Sequence, residues 1–434
     1  MDPATYSKIL QILRQEVKPA LGCTEPVAVA LCAARCAAEW PELQPLRVDV
    51  RVSPNILKNA MGVGIPGTGW KGLDAACALA LAAGDWHCGL EVLKGTCPEA
   101  LRKASEIMAS GIIRIGLSDV PKLLYVETEC LFPGGHKSKC ILADTHDNIC
   151  FVSRDGEVVL EGGCTGESET ETALDGKFLT LDLIYEFARQ ADLADLGLME
   201  EEIEMNTALS EEGCRGNYGL NVGKTIASGL HRDIFGDSFA TLAMAMTAAA
   251  SDARMSGCPL PAMSNSGSGN QGITASMPVI AAAKSLGSSR EELVRALAAS
   301  NLVAIHIKSY LGRLSALCGC VVASTGSSCG IIMLKGGSVE QMGAAIKNMI
   351  GNITGMVCDG AKEGCALKVA SGVSCAIQSA ILALDGICIQ PSDGIIDSDT
   401  EKTIRNLGLI GATGMKQTDG MILGIMTAKG NPTC

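Results

Sequence analysis

Residues 289–317, SREELVRALAASNLVAIHIKSYLGRLSAL, form the stretch that decides the fold of the C-terminal half. Its apolar residues recur at helical spacing, and they cover most of the helix surface instead of a single face. A helix this apolar is typical of the interior of a helical bundle. Similar Ala-rich stretches, separated by glycine loops, stand on either side of it: 179–190, 236–255, 338–357 and 369–387. We therefore predict a mostly all-α C-terminal domain with buried central helices over residues 186–434.

The N-terminal part of the chain mixes helical and strand periods. Helical spacing occurs in two stretches: 4–16 and 24–38. Strand-like alternation occurs in three others: 46–54, 122–132 and 139–162. A chain of 434 residues exceeds the comfortable size of one hydrophobic core. We therefore predict a separate α+β domain over residues 1–185, with the acidic stretch 193–205 containing the hinge.

Composition and charge exclude several classes of protein. Hydrophobic residues make up 47% of the chain and charged residues 19%, which supports packed cores and argues against extended disorder. A net charge of -12 leaves no broad cationic surface, so we expect no nucleic-acid partner. The sequence has neither a signal-peptide pattern nor a stretch of about 18 charge-free apolar residues, so we expect no membrane partner. It predicts a cytoplasmic protein whose 20 cysteines do not form a disulfide framework.

Three segments rich in glycine and polar residues stand out: 22–26, 53–69 and 264–272. None has the spacing of a nucleotide-binding motif. The small residues of the third, SNSGSGNQG, let backbone N–H groups converge on an anion, and the apolar helix that follows directs its positive end to the same point. An amino-acid carboxylate suits such a site. The alternative is a glycine-rich turn between two packed helices.

Polar and thiol side chains accumulate between residues 301 and 368. Asn301, His306 and Lys308 stand within an apolar helix, where unpartnered polar groups are costly, so we expect a lined cavity. Four cysteines follow in two short segments: Cys318, Cys320, Cys358 and Cys365. Their spacing matches neither the usual zinc patterns nor the usual ferredoxin patterns. Thiol ligands favour zinc or an iron–sulfur cluster over a hard cation, and inert buried thiols are the alternative.

Five motifs, taken together, resemble one known family: GCTEP (22–26), SPNILKNAMGVGIPGT (53–68), RMSGCPLPAMSNSGSGNQGI (254–273), HIKSYLGRLSALCGC (306–320) and CDGAKEGCALK (358–368). The chain resembles, over essentially its whole length, the iron–sulfur L-cysteine desulfidases, a branch related to the bacterial iron–sulfur L-serine dehydratases. The resemblance implies that the helical C-terminal domain is catalytic and that the partner of the protein is a small L-amino acid.

The resemblance also implies a 4Fe-4S cluster and its ligands. The cluster would be held by Cys358, by Cys365 and by either Cys320 or Cys318. Cys23 would be a further thiol of the site, either as a ligand or as a catalytic group. Dehydratases can place a terminal cysteine on the open iron, which makes Cys434 an alternative ligand here.

Roles for other residues are a hypothesis built on this resemblance and on the chemistry of the side chains. Three thiolate ligands leave one iron able to act as a Lewis acid toward the substrate. The implied reaction is β-elimination of L-cysteine to sulfide, pyruvate and ammonia. Candidate acceptors of the Cα proton are Cys23, His306 and Lys308. The residues expected to bind substrate are Lys58, Asn59, Asn265, Ser266, Gly267, Ser268 and Asn270.

Other readings of these residues stay open at this point. An iron–sulfur L-serine or L-threonine dehydratase is the nearest alternative. A non-catalytic amino-acid-binding protein and a zinc protein that uses the same thiols are the others. Assembly as a homodimer is also left open.

Overall fold

The computed structural model describes residues 1–162, 175–312 and 315–428, so Cys434 lies outside the described residues. Within those ranges the α-helices are α1 Pro3–Glu16, α2 Thr24–Ala37, α3 Pro54–Ala60, α4 Gly72–Ala83, α5 Pro98–Ser110, α6 Leu181–Gln190, α7 Gly197–Arg215, α8 Val222–Ala227, α9 Arg232–Phe235, α10 Phe239–Met255, α11 Gly269–Leu286, α12 Arg290–Leu311, α13 Gly319–Leu334, α14 Val339–Ile353, α15 Cys365–Leu384, α16 Thr400–Leu409 and α17 Lys416–Ala428. The strands are β1 Val17–Ala20, β2 Arg47–Val52, β3 Ile113–Leu117, β4 Tyr125–Leu131, β5 Lys137–Ala143, β6 Ile149–Arg154, β7 Glu157–Glu161 and β8 Ala262–Asn265. The predicted fold class, an α+β part followed by a mostly helical part, is confirmed.

Six strands form one sheet in the order β3-β2-β4-β5-β6-β7. β2 runs parallel to β3, while the other neighbours are antiparallel. β2 alternates buried and more exposed residues, as its sequence predicts, and buries Val48, Val50 and Val52. Helices α2 and α4 pack together, and α2 lies against β4 and β5. Cys32 and Cys77 are fully buried in this core, where a free thiol packs as a small hydrophobic group.

The helical part is built around α12 and α13. The stretch that decides the fold becomes α12, which begins with a capping box between Ser289 and Glu292. α13 contacts α11, α12, α14 and α15, which explains why it is apolar on every side. Glycine allows the closest approach: a Cβ on Gly326 would lie 2.3 Å from the carbonyl oxygen of Ser300 in α12. These helices form the buried centre that the sequence predicts.

The N-terminal segment packs with the helical part, although the sequence division assigns it to the α+β domain. β1 pairs antiparallel with β8 in a two-stranded sheet, with Lys18 opposite Ser264. The apolar residues Ile9, Ile12 and Leu13 of α1 belong to the same hydrophobic core as α6 and α12. The chain therefore starts in the helical part, crosses to the six-stranded sheet after β1, and returns by residue 176.

One described helix, α15, is long and apolar enough to cross a membrane by length and composition alone. Half of its 18-residue apolar window is buried within the fold. A core helix of a soluble protein passes the same test, and α15 packs on α10, α13 and α14.

Seventeen described cysteines carry free thiols, whereas Cys150 is disulfide-bonded.

We predict that Gly213→Ala destabilises the protein, because a Cβ at this position of α7 would lie 2.0 Å from the Ala249 carbonyl oxygen of α10. Overpacking of this kind costs about 1–3 kcal/mol. Gly197→Ala is the matched control on the same helix, since nothing lies within 4 Å of its added Cβ and its backbone is right-handed. It should stabilise by up to about 1 kcal/mol. Urea unfolding of both variants measures the difference, and equal midpoints would contradict this packing.

Candidate active site

A cavity of about 520 Å³ lies where the sheet-containing part meets the helical part. Its wall comes from segments that are far apart in sequence: the start of α2, the end of α3, the loop before α11, the start of α13 and the segment that leads into α15. The predicted site residues that line it are Cys23, Lys58, Asn59, Ser266, Gly267, Ser268, Asn270, Lys308, Cys318, Cys320, Cys358 and Cys365. The tertiary structure therefore brings together most of the residues singled out in the sequence.

Besides Cys23, four thiols reach the cavity from two segments of the chain. An isolated antiparallel bridge between Leu317 and Val357 brings Cys318 and Cys358 close, and the Cys318 N–H donates to the Met356 carbonyl oxygen at 2.9 Å. Cys320 lies in the first turn of α13, and its Sγ donates to the Lys368 carbonyl oxygen of α15 at 3.2 Å. Cys365 is the first residue of α15. The starts of two packed helices and one short bridge thus position all four.

The raised pKa values of these thiols show that they lose their protons only beside a positively charged partner. Burial raises the pKa of Cys318 to about 12, and the neighbouring Cys358 contributes to the rise. Burial also raises the pKa of Cys320 and of Cys365. Without a positively charged partner these groups are neutral thiols at neutral pH. A coordinated metal ion removes the proton outright.

The donor set fits an iron–sulfur cluster. Among the described residues, no three His, Cys, Asp or Glu side chains converge closely enough to hold a single metal ion. A multi-iron cluster places each ligand on a different iron, so its thiols stand farther apart than those of one zinc ion. Soft thiol ligands select iron–sulfur clusters over hard cations. Cys358, Cys365 and either Cys320 or Cys318 would hold the group between them.

Cys23 lies on the cavity wall at the N-terminus of α2. Its Sγ donates to Glu25 Oε2 at 3.1 Å, and Glu25 Oε1 accepts from Asn59 Nδ2 at 3.0 Å. Burial and then the charge of Glu25 raise the pKa of Cys23, while Arg254 lowers it. Cys23 is therefore a neutral thiol unless a metal or a base takes its proton.

The loop before α11 has the geometry of an anion site. Ser266 and Gly267 have successive positive φ angles of 50° and 79°, a conformation in which glycine and small polar residues are favoured. Ser268 caps α11 by accepting from the Gln271 N–H. The N–H groups of Gly269 and Asn270 are in the first helical turn and have no partner within the helix. The positive end of α11 therefore faces the cavity, as the sequence predicts.

Asn265, which the sequence analysis assigns to substrate binding, lies behind this loop and does not line the cavity. Its Oδ1 accepts from Ser266 Oγ at 2.8 Å, and its Nδ2 donates to Asn301 Oδ1 at 2.8 Å. Asn301 Nδ2 in turn donates to Glu202 Oε2 at 2.7 Å. A series of buried hydrogen bonds thus runs from Glu202 through Asn301 to the loop, and Asn265 holds the loop in place. Asn301 is likewise part of this chain and not of the cavity wall.

His306, a candidate base, does not line the cavity. Its Nε2 lies 2.7 Å from Glu401 Oε2 and its Nδ1 lies 3.1 Å from the Gly176 carbonyl oxygen. Both ring nitrogens are thus engaged in tying α12 to neighbouring elements. Lys308, two residues further along α12, does line the cavity.

Lys58 lines the cavity, but it is only 2% exposed and forms an ion pair with Asp419 of α17. This pairing disfavours the expected contact with substrate. Sequence reasoning also missed several cavity residues: Glu25, Lys122, Asp144, His146, Arg254, Gln271 and Lys368. Four of these residues stand inside the quoted motifs, but nothing in their spacing distinguishes them from structural residues: Glu25, Arg254, Gln271 and Lys368. His146 stood in a turn-like context, and only the folded chain brings it to the site.

We predict that Glu202 makes the stability of the protein depend on pH. Burial raises the pKa of this carboxyl from 4.5 to about 8, so the fold favours its neutral form. Its contribution is complete below pH 4.5 and is lost as the pH rises through about 8. Those two pKa values correspond to a loss of up to ~5 kcal/mol. Glu202→Gln keeps the shape without the charge and should remove this dependence.

Chemical denaturation across this pH range measures the effect. Glu204→Gln, an exposed position on the same helix, is the matched control and should leave the wild-type pH dependence in place. A Glu202→Gln profile that falls with pH as steeply as the wild type would show that Glu202 is not the titrating group.

Comparison of the chain with known proteins identifies its family. The family model for the serine dehydratase alpha chain matches residues 87–424. The chain is 48% identical over 425 residues to a UPF0597 protein of Oleidesulfovibrio alaskensis, with 98% of each chain covered. It is 47% identical over 440 residues to a UPF0597 protein of Porphyromonas gingivalis, with 99% of this chain and 100% of the relative covered.

A UPF0597 protein of Aeromonas hydrophila is 44% identical over 427 residues, with 98% of this chain and 97% of the relative covered. The family match includes the loop before α11 and the cysteines from Cys318 to Cys365, whereas Cys23 and Asn59 precede it. The relationship to the serine dehydratases that the motifs predict is confirmed. The chain belongs to the serine dehydratase alpha chain family.

Proposed function

We propose that this protein is an iron–sulfur-dependent lyase that removes the β-substituent of a small L-amino acid, with L-cysteine as its substrate. One observation carries the proposal: five thiols and the N-terminus of α11 line the same cavity. Membership in the serine dehydratase alpha chain family supports a lyase of this type. The choice of cysteine rests on the desulfidase-like motifs. We also propose a cytoplasmic location, where cluster thiols stay reduced.

Cys358, Cys365 and either Cys318 or Cys320 are the residues that would hold the cluster, which leaves one iron without a protein ligand. When bound, the cluster supplies a Lewis acid for the departing β-substituent. The thiols are buried enough to shield it from bulk solvent, since Cys318 and Cys320 are buried and Cys358 and Cys365 are half-buried. The protein therefore provides soft ligands and a protected setting.

The remaining cavity residues bind and orient the amino acid. The first turn of α11 would hold the carboxylate, which points Cα toward the interior of the cavity. Groups on the cavity wall that can take the Cα proton are Lys308 and His146 in their neutral forms, and Cys23 only after it has lost its own proton. As that proton leaves, the Cα–H electron pair forms the Cα=Cβ bond and the Cβ–S bond breaks. The aminoacrylate product reacts with water to give pyruvate and ammonia.

L-Serine dehydration is a second candidate function, and the family match favours it. The two reactions share the site and the Cα proton transfer. They differ in the leaving group, because a thiolate departs at neutral pH with little help whereas hydroxide needs a proton from an acid. Steady-state pyruvate formation by anaerobically reconstituted protein on the two amino acids separates them.

The expected result is a larger kcat/KM for L-cysteine than for L-serine, with one sulfide released for each pyruvate. A larger value for L-serine would select the second candidate. Elemental analysis accompanies the assay: zinc without iron or labile sulfide, together with no turnover on either substrate, would refute both candidates.

We predict that Cys358→Ala removes the cluster and lowers kcat by at least about 1,000-fold, since a missing ligand and a missing Lewis acid affect every turnover. The visible spectrum and the iron content should fall with the activity. Cys388→Ala is the control, because Cys388 is also half-buried but does not line the cavity. It should retain iron and activity. A Cys358→Ala protein with full iron content would refute the ligand assignment.

A further inference from the structure

We propose that Arg254 anchors the α-carboxylate of the substrate and thereby selects amino acids over simple amines. This inference rests on the proposed function, because it names the group that recognises the substrate of that site. Arg254 lies in the last turn of α10 and lines the cavity, and it is only 3% exposed.

The hydrogen bonds of Arg254 leave its charge without a counterion. Nη2 donates to the Gly22 carbonyl oxygen at 2.8 Å, and Nη1 donates to Asn270 Oδ1 at the longer distance of 3.3 Å. Both acceptors are neutral. In the described parts of the chain no carboxylate oxygen lies within the 4.0 Å ion-pair distance of this side chain. A buried charge without an ionic partner is strongly unfavourable unless an anion completes the site.

Other cations on the same wall are paired. Lys122 forms an ion pair with Asp144 at 2.7 Å. Lys58 and Lys368 form ion pairs with Asp419 and Asp359. These lysines have counterions within the protein, whereas Arg254 does not. The remaining carboxylate of the wall, that of Glu25, accepts from Cys23 and Asn59.

The second observation is the position of Arg254 against the N-terminus of α11. A Cβ on Gly269 would lie 2.2 Å from Arg254 Nε, so only glycine allows the guanidinium to touch the first helical turn. The N-terminal end of an α-helix carries a partial positive charge. The guanidinium of Arg254 and the N-terminus of α11 therefore bring two positive charges together. These charges repel each other, and an anion between them would be attracted by both. Arg254 Nε also has no hydrogen-bond partner.

The geometry selects a carboxylate as that anion. A guanidinium is planar and offers parallel N–H donors that match the two oxygens of a carboxylate. One oxygen would accept from Arg254, and the other from the first-turn N–H groups of Gly269 and Asn270. Asn270 Oδ1 accepts from Arg254 Nη1 at the long distance of 3.3 Å. A ligand oxygen would replace Asn270 Oδ1 as the acceptor. The Cβ of the amino acid would then extend toward the thiols.

Binding of two small probes to the anaerobically reconstituted protein tests the proposal. L-Alanine carries the carboxylate but no β leaving group, and ethylamine is the same molecule without the carboxylate. By calorimetry, Arg254→Gln should weaken L-alanine binding by about 30-fold or more, which is the lower end of the cost of removing one partner of a buried charge pair. The weak binding of ethylamine should not change.

Arg295→Gln is the matched control. Arg295 of α12 is also held by carbonyl oxygens, those of Ala188 and Ala191, but it does not line the cavity. It should bind L-alanine as the wild type does. Arg254→Gln with wild-type L-alanine affinity would overturn the proposal, and so would a wild-type protein that fails to bind L-alanine.

Asn270→Asp is the second variant, and it decides the matter if Arg254→Gln does not fold. Its new carboxylate would pair with Arg254 and occupy the anion site, so L-alanine binding should be lost. Retained binding would overturn the proposal. Binding that depends on Arg254 in a protein without lyase turnover would refute the proposed function alone. Turnover with binding independent of Arg254 would refute this inference alone.

Discussion

The site depends on the antiparallel pairing of strand β1 with strand β8. Their pairing joins the first twenty residues to the segment that precedes α11, with Ala20 opposite Ala262 and Val17 opposite Asn265. The Ser266 N–H extends this contact by donating to the Glu16 carbonyl oxygen at 2.9 Å. Because Cys23 follows β1 by only a few residues, the same backbone hydrogen bonds that position the loop also bring this thiol to the cavity.

Buried polar groups then hold the loop in a strained conformation. Ser266 has a positive φ, which a residue with a side chain rarely adopts, and its hydroxyl is anchored by Asn265. Asn265 is anchored in turn by Asn301, and Asn301 by the neutral carboxyl of Glu202. Such a network stabilises one conformation because each member is costly to bury alone. The conformation of the loop before α11 is thus held by residues that do not line the cavity.

Close helix approach completes the arrangement. A Cβ at Gly272 of α11 would lie 1.9 Å from the Met263 carbonyl oxygen of β8. At Gly319, the first residue of α13, a Cβ would lie 2.2 Å from Gln271 Oε1. These contacts bring the N-termini of α11 and α13 together, so that the loop before α11 and the thiols share one cavity. The glycines in the motifs are therefore needed for packing as much as for turns.

The sequence by itself determined the fold class, because the periods of its apolar residues distinguish strands from wholly buried helices over long stretches. It also indicated the cysteines and the Gly-Ser loop, since thiols and small polar residues are conspicuous among apolar helices. Only the tertiary structure decided which polar groups face the cavity. Asn265 and His306 bind buried partners and Arg254 lines the cavity, although nothing in the sequence around each residue distinguishes these outcomes. The partners of Asn265 and His306 are Asn301 and Glu401, which lie 36 and 95 residues away in the chain, and a local pattern carries no information about them.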